Sequence, residues 1–247
     1  MAILIQFAFR LSFGLAAAMC CTSPRQVTAG FFRVHLYVVL GLNVLAALAI
    51  STGQREPALW LPIATAVVAY AGSVCWLYES RRLGQAALLA AALLSLAAAW
   101  YAGTQNEQLT TEQLWLAACD VPTSGLLLGA TLTAMFLGHW YLNTPTMDLA
   151  PLRRLIALIG LAVALRAGVS LAAWRMHPPE TDFDFWLLTL RWLAGLAFLA
   201  VLVVMVWRTL KIPNTQSATG ILYVAVIVAM IGEACSLVLS SPTAYSL

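Results

Sequence analysis

Eight stretches of this 247-residue chain each approach the roughly 20 apolar residues that a helix needs to cross a hydrocarbon layer about 30 Å thick. They run approximately from Ile3 to Thr22, Gly30 to Ser51, Ala58 to Ser80, Leu83 to Gly103, Val121 to Asn143, Leu152 to Trp174, Phe185 to Arg208 and Ala218 to Ser240. Pro, Gly, Asn and charge clusters separate them. A β-barrel strand alternates apolar and polar residues over about ten positions, whereas Ala86 to Ala99 is an unbroken apolar run. The expected fold is therefore all-α: a polytopic integral membrane bundle of about eight transmembrane helices, forming one domain over residues 1–247 with the lipid bilayer as its main partner. Composition agrees. With 62% hydrophobic and only 9% charged residues, and a mean hydropathy of +0.87, the chain is neither an ordinary soluble enzyme nor disordered. Thirteen basic residues against ten acidic ones make no basic face, so no nucleic-acid partner is expected.

Basic residues retained in cytoplasmic loops set orientation. Arg25, Arg81, Arg82, Arg153, Arg154, Arg208 and Lys211 fall in the odd-numbered loops, and only Arg55 and Arg175 in the even ones. Both termini are thus expected outside, in a membrane such as the bacterial inner membrane. Tryptophans prefer the interface, and here most lie near a span end, with Trp192 well inside one. The first span has no basic residue before Arg10, so it reads as a permanent helix rather than a secretory signal. The five cysteines show no CxxC spacing. Cys119 and Cys235 lie toward one level, yet free buried thiols are the default expectation.

Weak internal similarity relates the halves 1–112 and 113–247. Thr22-Ser23-Pro24 and Asn143-Thr144-Pro145 each close a span, each proline precedes an arginine by nine residues (Arg33 or Arg154), and Gly-Leu pairs follow. A four-plus-four parallel repeat is one reading. Small residues allow close approach of membrane helices. Gly125, Gly129 and Thr133 in span five, with Gly160, Ala164 and Gly168 in span six, predict tight packing and a central span six, with Arg166 on its opposite, buried face.

Charges inside spans cost a few kcal/mol each by insertion scales and need partners or water. Arg10, Asp120, Arg166, Arg191 and Glu233 share the outer half of the bundle, and Arg33 lies near the inner boundary. Glu233 is expected to pair with Arg166 or Arg191. The cluster then either fixes helix register or opens a polar cavity to an anion, a proton or a quinol head group. His35 and His139 lie at matching depths near the inner side. They fit axial ligation of a b-type haem with Arg33 near a propionate, a quinone or proton site, or plain interfacial packing. The loop His177 to Asp184 alternates oxygen ligands that could hold a hard cation, but reads more simply as a solvated acidic loop or a docking surface.

No catalytic motif appears: there is no Walker loop, Gly-x-Ser-x-Gly, His-Glu-x-x-His or dinucleotide fingerprint. Eight spans, short loops and outer-half charges resemble in architecture the hydrophobic anchor subunits of bacterial respiratory complexes. The functional expectation is an integral membrane subunit of a larger electron-transfer assembly, anchoring other protein subunits and forming a quinone or haem site. A small-solute or ion transporter, with the outer-half charges lining its path, is the alternative. A structural or assembly factor is the third.

Overall fold

A computed structural model describes residues 1–52, 59–104, 111–144, 147–176, 178–179, 181–212 and 214–240. The described residues are helical, and eight helical spans are long and apolar enough to cross a membrane. The spans are α1 (Ala2–Cys20), α2 (Ala29–Thr52), α3 (Trp60–Leu77), α4 (Arg81–Thr104), α5 (Thr111–Asn143), α6 (Ala150–Met176), a continuous seventh span Asp182–Thr209, and α9 (Thr215–Leu239). The seventh comprises α7 (Asp182–Leu190), a π-helical turn region (Arg191–Phe198) and α8 (Leu199–Thr209). Leu48, Val67, Leu93 and Val201 point outward more than half exposed. So large an apolar exterior suits acyl chains and not water.

The helices pack in two rings. α1 to α4 form one, with α1 closing against both α2 and α4, and α5 to α9 form the other, with α5 closing against both α6 and α9. The rings meet mainly where α1 crosses α5. In lipid no hydrophobic drive brings helices together, so close backbone approach must supply dispersion contacts. A Cβ on Gly14 would lie 1.7 Å from the carbonyl oxygen of Gly125, and one on Gly129 would lie 1.8 Å from the carbonyl carbon of Gly14. A second such crossing joins the π-helical turn to α9, where a Cβ on Gly195 would stand 2.6 Å from the Cα of Gly232.

These crossings correct the expected role of span six. Gly125 and Gly129 do form a close-packed seam, but their partner is α1. Gly168 has nothing within 4 Å of its would-be Cβ, and Gly160 only Val203 at 3.8 Å. The most buried spans are α5 and α1, at 78% and 67% of their apolar windows, against 39% for α6. α6 is peripheral, and it sends Arg166 inward while its small residues lie on a looser face. α5 also begins about ten residues before the expected Val121, at Thr111, and so takes Pro122 into its interior. Neighbouring helices and Thr side chains re-satisfy backbone groups freed by an intramembrane proline. The proline leaves the Ala118 carbonyl without its amide donor, and next to it the Thr123 hydroxyl donates to the Cys119 carbonyl at 2.7 Å.

The spans alternate in direction. The connections after α1, α3, α5 and α8 gather at one end, where Gln26 donates to Asp148 at 2.8 Å and Arg153 to the Leu210 carbonyl at 3.1 Å. This is called the loop end, and the opposite one the terminal end. All five cysteines are free thiols. Of the acidic loop, His177 and Glu180 lie outside the described residues. Asp182 and Asp184 form the first turn of α7, where Thr181 caps the helix by accepting from the Asp184 amide. Acids placed there complement the helix dipole.

Overpacking a membrane crossing costs about 1–3 kcal/mol or more. Gly129→Leu is therefore expected to lower the thermal unfolding midpoint of the detergent-solubilised protein sharply, while Gly168→Leu leaves it nearly unchanged. A similar loss from both would contradict the α1–α5 seam.

Candidate functional site

Five ionised side chains, none more than 5% exposed, meet in the half of the bundle nearer the terminal end. Arg10 lies on α1, Asp120 on α5, Arg166 on α6, Arg191 at the start of the π-helical region and Glu233 on α9. Each of the four that lie on α1, α6, the seventh span and α9 is six to ten residues from its helix end, about 9–15 Å at 1.5 Å per residue. An isolated charge at that depth is strongly disfavoured, so the partners decide whether the fold can exist. Arg10 Nη2 is 2.6 Å from Asp120 Oδ2, and the other Asp120 oxygen pairs with Arg166 Nη1. The Arg166 fork then takes Glu233 in two bonds, Nε to Oε1 at 2.8 Å and Nη2 to Oε2 at 2.9 Å. This is the bidentate geometry that guanidinium offers and ammonium does not.

Two uncharged side chains extend the chain of bonds. Ser236, one turn beyond Glu233, accepts from Arg166 at 2.9 Å and from Arg191 at 2.6 Å. At the other end Gln6 accepts from Arg10 Nε at 3.4 Å and donates to the Ala99 carbonyl of α4 at 2.9 Å. The network thus ties together α1, α4, α5, α6, the seventh span and α9. The Gly195–Gly232 crossing explains how Arg191 reaches it. Two backbones in contact place Glu233 and Ser236, just past Gly232, against the first residue of the π-helical region. π-Helical turns are rare and often mark functional sites. Three guanidiniums and two carboxylates leave one positive charge in excess.

Beside this network α6 and α7 separate toward the terminal end. The gap is a groove of about 400 Å³ lined by Leu171 and Trp174 of α6 and by Phe185, Leu188, Thr189, Trp192 and Leu193 of the seventh span. Leu188 is buried at its floor, while Phe185 and Leu193 are more than half exposed at its mouth. Trp192 and Thr189 lie within two residues of Arg191 in sequence, but none of the five charged side chains lines the groove. Trp192, which looked misplaced inside a span, is a wall of this groove.

The loop-end residues are arranged differently. The buried His35 donates a 2.5 Å hydrogen bond from Nδ1–H to the Phe31 carbonyl, and its ring packs on Phe31 and Phe136. Trp140 joins the same aromatic group through Phe31. His139 is exposed, with Nδ1 3.4 Å from the Tyr223 hydroxyl on α9. On α5 Phe136 packs on His35 and Trp140, one turn further, packs on Phe31, and His139 is rotated about 100° from Trp140. The two imidazoles therefore have different neighbours. Arg33 is half-buried on α2.

All five outer-half charges named from sequence are thus brought together, and the Arg166–Glu233 pair is among their bonds. Ser236 and Gln6 were not singled out, although Ser236 sits one helical turn from Glu233 and Gln6 one turn from Arg10. The groove had no linear signal. Compared with known proteins, the chain matches no family model, no curated protein and no solved structure.

Removing one partner of a buried pair leaves the other charge uncompensated and costs about 3–5 kcal/mol. Asp120→Ala, which takes from Arg10 its carboxylate partner and leaves Arg166 with Glu233 alone to balance it, is expected to destabilise the protein by that amount in reversible denaturation. Glu112→Ala, at an exposed helix start, should stay within about 0.5 kcal/mol. Equal effects would remove the network from its structural role.

Proposed function

We propose that the protein is a membrane-embedded subunit of an electron-transfer assembly and that it binds a quinone-type ring in the groove between α6 and α7. The observation that carries this reading is the groove itself: about 400 Å³, with walls of two tryptophans, a phenylalanine and leucines. Small-molecule sites are concave and mostly apolar, with a few polar groups that fix orientation. A quinone has a flat ring suited to tryptophan and phenylalanine faces, two carbonyl oxygens that accept hydrogen bonds, and an apolar tail. The exposed mouth at Phe185 and Leu193 would let the tail remain among acyl chains. Trp174 and Trp192 carry indole N–H donors, whereas the Thr189 hydroxyl already donates to the Phe185 carbonyl at 2.8 Å.

The charged network supports this function by tethering the span that carries one side of the groove. Arg191 opens the π-helical region immediately before Trp192, so its bond to Ser236 fixes the wall of the groove to α9. Electrons would come from centres on partner subunits. The matched packing order of the two rings supports a four-plus-four repeat of 1–112 and 113–247. The collection of Arg25, Arg81, Arg82, Arg153, Arg154, Arg208 and Lys211 at the loop end supports termini facing outward, as in a bacterial inner membrane.

A photoreactive ubiquinone or menaquinone analogue added to the protein in lipid nanodiscs tests the reading. Saturable labelling of Trp174, Phe185 or Trp192 is expected, competed by unlabelled short-chain quinone and weakened about tenfold by Trp192→Ala. Labelling spread over all lipid-facing helices, or equal competition by a fatty acid, would make the groove an ordinary acyl-chain contact.

A further inference from the structure

At the loop end a second, smaller groove of about 260 Å³ is lined by Arg153, Trp207 and Lys211. Its chemistry is the reverse of the first: two cations and one interfacial indole. Arg153 is in the first turn of α6 and Lys211 in the turn that follows α8. The Arg153 Nη2 bond to the Leu210 carbonyl at 3.1 Å spans the two elements. That bond holds the guanidinium over the gap beside Lys211, with the remaining N–H groups of the fork available. Leu210 is itself buried, which makes the anchor firm. Arg208, in the last turn of α8, adds further positive charge to this end.

The acid nearest in sequence is already engaged. Asp148 accepts from the Ala150 amide at 3.0 Å and from Gln26 at 2.8 Å, thereby capping α6. Val201 and Val204 are each more than half exposed, and Trp207 is 43% exposed. At three-residue spacing they form a stripe along α8 that runs from the groove toward the bilayer interior. A phosphate bound between Arg153 and Lys211 would therefore have an apolar track for attached chains.

We propose that this groove is a binding site for the phosphate of an anionic phospholipid headgroup, with Arg153 and Lys211 as its ligands, Trp207 at the glycerol level and the acyl chains along α8. Basic pockets between transmembrane helices suit such headgroups. The chain-bearing lipid is favoured over free phosphate because the site opens onto the Val201–Val204–Trp207 stripe. This inference stands independently of the quinone reading.

Delipidated protein in neutral detergent, titrated with short-chain phosphatidylglycerol or phosphatidylcholine and read by native mass spectrometry, tests it. Phosphatidylglycerol is expected to bind about tenfold more tightly than phosphatidylcholine. Lys211→Gln, which breaks no side-chain hydrogen bond among the described residues, should weaken it about fivefold, in line with roughly 1 kcal/mol per basic residue near an anionic surface. Arg153→Gln should do the same or more, and an unchanged melting profile of Lys211→Gln keeps the result interpretable if Arg153→Gln is unstable. Equal affinity for the two lipids, or no effect of Lys211→Gln, would overturn the site. Displacement of phosphatidylglycerol by inorganic phosphate would show a free-anion site and overturn the lipid assignment.

Discussion

The bidentate bond between Arg166 and Glu233 is the interaction on which the rest of this bundle depends. Both groups are buried far from water, and neither could be accommodated without the other. Once that pair forms, Asp120 is drawn to the remaining face of the same guanidinium, and Arg10 to the remaining oxygen of Asp120. The bonds run from α9 through α6 and α5 to α1, which is the path from one helical ring to the other. Apolar packing alone would tolerate sliding between helices as smooth as these. A directional chain of charge-assisted hydrogen bonds sets their register.

Close backbone crossings make that chain geometrically possible. Gly14 meets Gly125 and Gly129 a few residues below Arg10 and Asp120, so the two charged residues are pressed together by the seam beneath them. Gly195 meets Gly232 in the same way beneath Arg191 and Glu233. Three glycines at the first crossing and two at the second remove the side chains that would hold the backbones apart, and the charged residues sit close to the contact. The π-helical turn supplies the final adjustment that aims Arg191 inward. The same turn sets Gly195 against Gly232 of α9, and the aromatic groove lies between this span and α6.

Most of the fold was legible in the linear pattern, because the length of an apolar run is dictated by membrane thickness and hardly by tertiary context. The five buried charges were legible for the same reason: in a chain with so few, any one inside a span must find a partner. What could not be read was which small residues make contacts. Gly160 and Gly168 repeat as regularly as Gly125 and Gly129, yet only the latter meet another backbone, since spacing reports a face and not what lies opposite it. Span six seemed central because it carries both glycines and an arginine, whereas a peripheral helix can bury one long side chain and leave its body at the edge. The groove lies between α6 and the seventh span, and a gap between two helices has no signature in period or composition.

A double-mutant cycle on Arg166 and Glu233 tests this account most directly. Arg166→Met, Glu233→Leu and the double variant would be compared by reversible denaturation in lipid or detergent bicelles. The account predicts large losses from each single substitution and a double loss smaller than their sum by more than about 1.5 kcal/mol, as expected for residues in direct contact within one network. Additive losses within about 0.5 kcal/mol would contradict it.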